Sequence, residues 1–264
     1  MRYTRISTKI VLTAVVFLFI TGSFAAASAD KAVTSGTGVP ILLYHRLGPT
    51  VADSMTITTP VFESHLKYLR QNGYTVIPLR QVIDCLKNNK PLPPHSVVIV
   101  ADDGHKSIYT DMLPLVRKYQ IPVTLFIYPS AISNASYAMT WNQLKELKET
   151  GLFDLQSHTY WHPNFKVEKK RLDKKEYEKV VETQLKKSKD KLEKEFGTKI
   201  DLLAWPFGIY DDYLSGKASE AGYVAAFSIE RRPVRSGDNM MSLPRFLLEN
   251  ANQGKSFERL LTGN

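Results

Sequence analysis

Ser96-Val97-Val98-Ile99-Val100-Ala101-Asp102-Asp103-Gly104 is the stretch that decides how this chain folds. Nothing alternates between Ser96 and Ala101, so the run does not fit a strand with one wet face. It fits a strand inside a sheet covered on both sides, the arrangement of parallel α/β folds. Two carboxylates and a glycine then stand at the strand's carboxyl end. That is where α/β folds place their reactive groups, because the loops there vary while the strands hold their roots rigidly. Adjacent carboxylates in that position point to metal chemistry.

Outward from this strand, apolar runs alternate with helical patterns. Strands are predicted at Val39 to Tyr44, Thr75 to Ile77, Pro122 to Ile127, Leu152 to Ser157, Asp201 to Trp205, Val224 to Ser228 and Leu243 to Leu248. Helices are predicted over Pro60 to Gln71, with Thr59 as N-cap and Asn72-Gly73 as the stop, and over Leu79 to Asn89, Ser107 to Tyr119, Trp141 to Glu149 and Asp211 to Glu220. A longer one runs through Lys166 to Lys199, where Tyr177, Val181, Leu185, Leu192 and Phe196 recur at helical spacing. About seven strands, each followed by a helix, imply a parallel sheet with crossover helices. With 264 residues and no internal repeat, one α/β domain over residues 39–264 is the expected organisation, closed into a barrel in preference to an open sheet.

The first residues differ in kind. Arg2, Arg5 and Lys9 precede the apolar stretch Ile10 to Ile20, and Ala27-Ser28-Ala29 gives a small-x-small pattern. This reads as a secretory signal peptide over residues 1–29, cleaved after Ala29, since the apolar stretch is short for a membrane span; an uncleaved anchor is the alternative. Asp30 to Gly38, rich in small residues, reads as a flexible lead-in. Export, to the periplasm or the exterior, is therefore expected. Cys85 is the only cysteine, which excludes an internal disulfide and a cysteine-rich zinc site and suits a small buried filler.

The formal charge is +9; without the three basic residues of the leader, 32 Lys and Arg face 26 Asp and Glu, a net +6. Most of the surplus lies in Lys166 to Lys199, where thirteen basic residues are interleaved with eight acidic ones. Interleaved charge without aromatic residues on the basic side describes a solvated helix face, not a nucleic-acid surface. It allows weak attraction to an anionic cell envelope. No phosphate-cradling glycine loop and no Gly-x-Ser-x-Gly elbow is present, so nucleotide and serine-hydrolase chemistry have no motif behind them.

Of the six histidines, His65 falls on a helix and His95 in a turn, and both are assigned to the surface. His45, His105, His158 and His162 lie at or just beyond strand ends and share one rim if the sheet closes. His158 and His162 are separated by three residues, and Pro163 disfavours helical geometry at His162, so a strand end entering a turn is the better picture. With Asp103 they make two histidines and one carboxylate, a ligand set that leaves open positions on a divalent metal. Asp102, beside it, is then free to act as a base.

These residues resemble the polysaccharide deacetylases that share the NodB homology domain, carbohydrate esterase family four. That family's Thr-Phe-Asp-Asp-Gly motif appears as Val100 to Gly104, its His-Ser/Thr-x-x-His motif as His158 to His162, and its Arg-x-Pro-x-Gly motif, in part, as Ala204 to Gly208. The resemblance runs from about Val39 to Leu248, and Leu43-Tyr44-His45 is similar to the opening strand of the branch that deacetylates poly-β-1,6-N-acetylglucosamine.

The resemblance implies a distorted (β/α)₇ barrel, an N-acetylated polysaccharide as substrate, and hydrolysis of N-acetyl groups from an N-acetylglucosamine polymer. By it, Asp103, His158 and His162 hold a divalent metal, Zn²⁺ first, with Co²⁺, Ni²⁺ or Fe²⁺ also compatible with the donors. Asp102 is the general base toward a water whose pKa the metal brings down to about 7. The backbone N–H of Phe207 helps to hold the oxyanion. Trp205, Pro206, Phe207 and Tyr44 contact the sugar, with simple core packing as the competing reading of Trp205.

Two departures from the family pattern matter. The arginine of the third motif is Ala204 here, and Arg245 is the candidate to replace it from another strand. The family's late Leu-x-His appears as Leu243-Pro244-Arg245, and no histidine follows His162, so the proton donor to the leaving amine is open. His45 is favoured, with His105, a second metal-bound water or no efficient acid as alternatives. An exported, metal-dependent deacetylase is the expected function. A catalytically impaired relative that only binds glycan is the alternative.

Overall fold

A computed structural model describes residue 1 and residues 38–262. The expected leader and its cleavage site, and the lead-in up to residue 37, lie outside the described residues. In chain order the elements are β1 (Ile41–Tyr44), β2 (Arg46–Gly48), β3 (Thr56–Thr58), α1 (Thr59–Gln71), β4 (Thr75–Val76), α2 (Leu79–Asn88) and β5 (Ser96–Ala101). A wide π turn at Ile108–Met112 runs into α3 (Leu113–Tyr119), followed by β6 (Val123–Ile127), α4 (Trp141–Glu149), β7 (Phe153–Ser157), α5 (Phe165–Arg171) and α6 (Lys174–Glu182). A second π turn, Thr183–Lys187, joins α6 to α7 (Ser188–Phe196). After it come β8 (Leu202–Ala204), α8 (Asp212–Glu220), β9 (Ala225–Phe227), β10 (Phe246–Leu247) and α9 (Lys255–Thr262).

All six residues of β5 are buried, as an interior parallel strand requires. The principal sheet has the order β10-β1-β5-β6-β7-β8-β9, and every neighbouring pair is parallel. The segment around β10 closes it. Leu243 N donates to Ala226 O at 2.8 Å and Ser228 N to Leu243 O at 2.8 Å, while Leu248 N donates to Leu43 O at 3.0 Å. One short segment therefore bonds β9 at its start and β1 at its end, and the seven strands form the expected distorted (β/α)₇ barrel.

Alternation along the strands sorts the side chains into two cores. Ile41, Leu43, Val98, Val100, Phe126, Leu202, Ala204, Ala225 and Phe227 fill the barrel interior. Leu42, Tyr44, Ile99, Ala101, Leu125, Ile127, Leu203 and Trp205 face the surrounding helices. Helix α2 packs on the interior cluster through Leu79, Val82, Ile83 and buried Cys85. Its Arg80 lies 3.0 Å from Asp154 at the start of β7 and 2.9 Å from Asp201 just before β8, so α2 closes the amino ends of the strands.

Several local expectations are corrected. The long charged helix is interrupted: Leu172 is extended, and Asp173 caps α6 in a box with Glu176. The two strands β2 and β3 and the last helix were not expected; α9 buries Phe257, Leu260 and Leu261 at amphipathic spacing. The N-cap of α1 is Thr58, without a side-chain cap bond, and Thr59 is already helical. No helix among the described residues is long and apolar enough to cross a membrane.

His65 is not on the surface. It is 1 % exposed, stacks on Phe257 at 4.0 Å, and bonds Asn252 O through Nε2 at 2.6 Å and the Tyr44 hydroxyl through Nδ1 at 3.0 Å. The carbonyl can only accept, so Nε2 carries the proton and Nδ1 accepts from Tyr44. This neutral ring ties α1, β1 and α9 together. Burial lowers its pKa from 6.5 to about 4, against a smaller opposing effect of the bond to Asn252. The unfolded chain therefore takes up this proton first: the ring's contribution to stability is complete above pH 6.5 and is lost as pH falls toward 4. Denaturant unfolding of wild type and His65→Gln is expected to show the variant less stable at pH 7. The gap should narrow by up to about 3 kcal/mol between pH 7 and 4; a pH-independent gap would contradict this role.

Candidate metal centre

The carboxyl ends of β5, β7 and β8 bring the site residues together. Asp102 N donates to Tyr44 O at 3.0 Å, which fixes the first residue beyond β5 against β1. Asp103 then turns into left-handed backbone, φ 73°, and Gly104 follows at 78°. A side chain at Gly104 would be strained by that φ and pressed to 3.1 Å from Ile132. Beyond β7, His158 N donates to Ile127 O at 2.8 Å, and the loop carries Thr159 and His162 at φ 65° and 57°. After β8, Phe207 has φ 55°. Half of the eight non-glycine residues with positive φ among the described residues thus lie in these loops, at roughly 1 to 3 kcal/mol each. Backbone strain is concentrated where Asp103, His158 and His162 are held.

Asp103, His158 and His162 each offer one ligand atom within 4.8 Å of the others. Asp103 Oδ1 lies 3.5 Å from His158 Nε2 and 3.7 Å from His162 Nε2. Donors about 2.0 to 2.2 Å from one tetrahedral ion stand roughly 3.4 Å apart, so the spacing matches a divalent cation. Two further observations agree. Asp103 Oδ1 is buried without a hydrogen-bond partner among the described residues. His158 Nδ1 donates to Ala204 O at 2.8 Å, which leaves the Nε2 lone pair directed at the other ligands. Burial lowers the pKa of His158 to about 3 and also lowers that of His162, with Asp102 opposing in both, so both rings are neutral at neutral pH. Burial pushes the Asp103 carboxyl up, a penalty that a bound cation offsets.

Arg245 rises through the barrel interior to Asp102. Its Nη1 and Nη2 lie 2.8 Å and 2.9 Å from the two carboxylate oxygens, and its Nε donates to Ser228 O at 2.9 Å. Asp102 is 2 % exposed and Arg245 0 %. Burial pushes the Asp102 carboxyl up, but the charge and hydrogen bonds of Arg245 act against it, and the group is held below the usual carboxylate range. Asp102 is therefore ionised at neutral pH, with Oδ2 3.6 Å from His158 Nε2.

His45 borders the same cluster. The charges acting on it are Asp102, Asp103 and Arg245, its Nδ1 is buried without a hydrogen-bond partner among the described residues, and burial lowers its pKa. His105 is elsewhere: it bonds Ser107 Oγ at 2.8 Å, stacks on Tyr137, and feels Arg46, Lys106, Asp53 and Asp111 instead.

The sugar-contact expectations are corrected in two places. Tyr44 and Trp205 are both fully buried. Tyr44 points away from the interior toward α1, with its ring 5.0 Å from Phe62 and its hydroxyl on His65. Trp205 packs on Phe165 and donates from Nε1 to Met241 O at 2.8 Å. Strand parity turns both toward the helices and out of any substrate's reach. Pro206 is buried, whereas Phe207 is exposed with its ring 4.6 Å from that of His162. Gly208 has φ 65°, and a Cβ there would come within 2.5 Å of Ile229, so this turn accepts only glycine.

The rim also holds residues that sequence reasoning missed. Tyr128 stands 5.3 Å from His162, its hydroxyl bonds that of Tyr137, and Trp161 is exposed beside them. With Ser130 and Asn134 these line an open cavity of about 410 Å³ next to His162. Trp161 lies between the two histidines of the motif, which was signal enough; Tyr128 and Tyr137 carried none.

A family model described as polysaccharide deacetylase matches residues 89–226. The chain is 28 % identical over 210 residues to a poly-β-1,6-N-acetyl-D-glucosamine N-deacetylase of Staphylococcus aureus, covering 78 % of this chain and 71 % of that protein. Its fold is similar to Streptococcus pyogenes deacetylase PplD in complex with acetate, with a TM-score of 0.76, 22 % identity, and coverage of 85 % of this chain and 98 % of that one. It is similar also to IcaB from Ammonifex degensii, with a TM-score of 0.76, 24 % identity, and coverage of 86 % and 98 %. His45 and Arg245 lie outside the range of the family model.

Removing only Arg245 leaves a carboxylate buried without a counter-ion. Arg245→Met is expected to lose about 3 to 5 kcal/mol of unfolding free energy at pH 7, and Arg245→Met with Asp102→Asn to recover much of it. Urea denaturation of both variants checks this; equal losses would show that packing, not charge, sets the effect.

Proposed function

Because the chain belongs to the polysaccharide deacetylase family, we propose that it removes N-acetyl groups from a poly-β-1,6-N-acetylglucosamine-type polysaccharide in a metal-dependent hydrolysis. The observation that carries this reading is the constellation itself. Asp103, His158 and His162 present donors at metal spacing, and an ionised Asp102 is locked beside them by Arg245. The staphylococcal relative supports the choice of polymer.

A divalent ion held by the three ligands, Zn²⁺ by its donor preferences, supplies Lewis acidity toward the acetamide carbonyl and an acidified water. Asp102 takes the proton released as water adds to the carbonyl carbon. Arg245 keeps it in the basic form and its carboxylate plane fixed, the work that an arginine at position 204 does in the family pattern. In its protonated form His45 gives a proton to the nitrogen as the C–N bond breaks, and the proton held by Asp102 then replaces it, so water and amide become acetic acid and a free amine. It is the only histidine besides the two ligands that faces the cluster among the described residues. The exposed ring of Phe207 borders the substrate at the rim, and its backbone N–H is the candidate donor to the oxyanion.

The leader-like residues 1–29 agree with a substrate outside the cytoplasm. The net positive charge favours weak attraction to an anionic envelope.

Acetate release from β-1,6-N-acetylglucosamine oligomers is expected to require a divalent metal and to stop with chelator. Absence of metal-dependent acetate from these oligomers, from chitin and from peptidoglycan fragments alike would leave a glycan-binding protein instead. His45→Ala is expected to lower kcat by roughly 10²- to 10⁴-fold while zinc affinity persists. Unchanged turnover removes His45 from the reaction.

A further inference from the structure

We propose that Gln184 is a positioning residue that holds the loop between the two histidine ligands in its metal-binding conformation. The proposal rests on the reading of Asp103, His158 and His162 as a metal site. Gln184 is fully buried, and its Oε1 accepts from two successive backbone amides of that loop, Tyr160 N at 3.0 Å and Trp161 N at 2.9 Å. Its Nε2 has no hydrogen-bond partner among the described residues. The side chain therefore serves as an acceptor only, and the two amides it receives directly precede His162.

The loop needs such a hold. Thr159 and His162 are both in left-handed backbone, which non-glycine residues adopt only when their surroundings impose it. Gln184 reaches the loop because the π turn Thr183–Lys187 interrupts the long amphipathic helix there. Wide turns of this kind recur at functional sites, because they shift the face that a helix presents. Three neighbours grip the same loop. Ser188 Oγ donates to Thr159 O at 2.9 Å, Lys187 Nζ sits 4.3 Å from the Tyr160 ring centre, and Ser130 N donates to Tyr160 O at 3.0 Å. Among these contacts, only Gln184 bonds the backbone of both Tyr160 and Trp161. By fixing the amide of Trp161 it sets the ligand His162 and the exposed rim ring of Trp161 together.

Zinc affinity, measured against a competing chromophoric chelator on purified protein, tests this. Gln184→Asn withdraws the acceptor by one methylene and is expected to weaken zinc binding about 10- to 100-fold, as losing an outer partner of a metal ligand does. Gln184→Glu keeps an acceptor at the same reach and is expected to hold zinc close to wild-type affinity. Wild-type affinity in a folded Gln184→Asn protein overturns the proposal, and so does a folded Gln184→Glu protein that loses zinc as His162→Ala does. Should the Asn variant not fold, the Glu variant decides. Amide exchange in the wild type gives a third readout, since rapid exchange at Tyr160 and Trp161 overturns the proposal without any substitution. Failure of wild-type protein to bind zinc more tightly than His162→Ala is a different result: it removes the metal site itself.

Discussion

The ion pair between Asp102 and Arg245 is the constraint around which the barrel is organised. An ionised carboxylate inside a shell of aliphatic side chains is untenable alone, and so is a guanidinium. Here each satisfies the other in a two-pronged bond, and Ser228 O takes a third N–H of the arginine. The three residues come from beyond β5, beyond β9 and from the approach to β10. The pair therefore spans the seam where the ring of strands closes, and the chemistry at the rim inherits its geometry from that closure.

The substitution at the third motif becomes intelligible in these terms. Ala204 contributes a small side chain to the interior and a carbonyl that orients His158. The positive charge arrives instead from Arg245, whose guanidinium also sits 5.5 Å from the Phe126 ring centre. The charge of Asp102 is balanced from a strand that lies far from it along the chain.

Much of this was legible in the sequence. Uniform burial of Ser96 to Ala101, the strand and helix alternation, and the pairing of Asp103 with His158 and His162 follow from periodicity, spacing and donor chemistry. What was not legible depended on direction and on distant contact. A strand's parity decides whether Tyr44 and Trp205 look at substrate or at helices, and a one-residue shift in where the strand begins reverses the answer. His65 lies on a helix whose exposed and buried faces look alike until α9, read as no element at all, covers one of them. Gln184 is one polar residue on an apolar stripe, and no local pattern marks the wide turn that aims it. The Asp173-to-Glu176 capping box, by contrast, was readable and shows why the charged helix breaks.

The two halves of the site differ in how far apart their parts lie along the chain. Asp103, His158 and His162 fall within one stretch of three neighbouring strands, whereas Arg245 must travel back across 143 positions to reach Asp102. Contacts of such long separation form only after the intervening chain is in place. A chain that ends before residue 245 retains Asp103, His158 and His162 yet leaves Asp102 without its counter-charge. The last strand thus acts as a completeness check: the cluster of Asp103, His158 and His162 is encoded early in the polypeptide, and a charge-balanced carboxylate beside it is reserved for molecules in which this strand has been synthesised and folded.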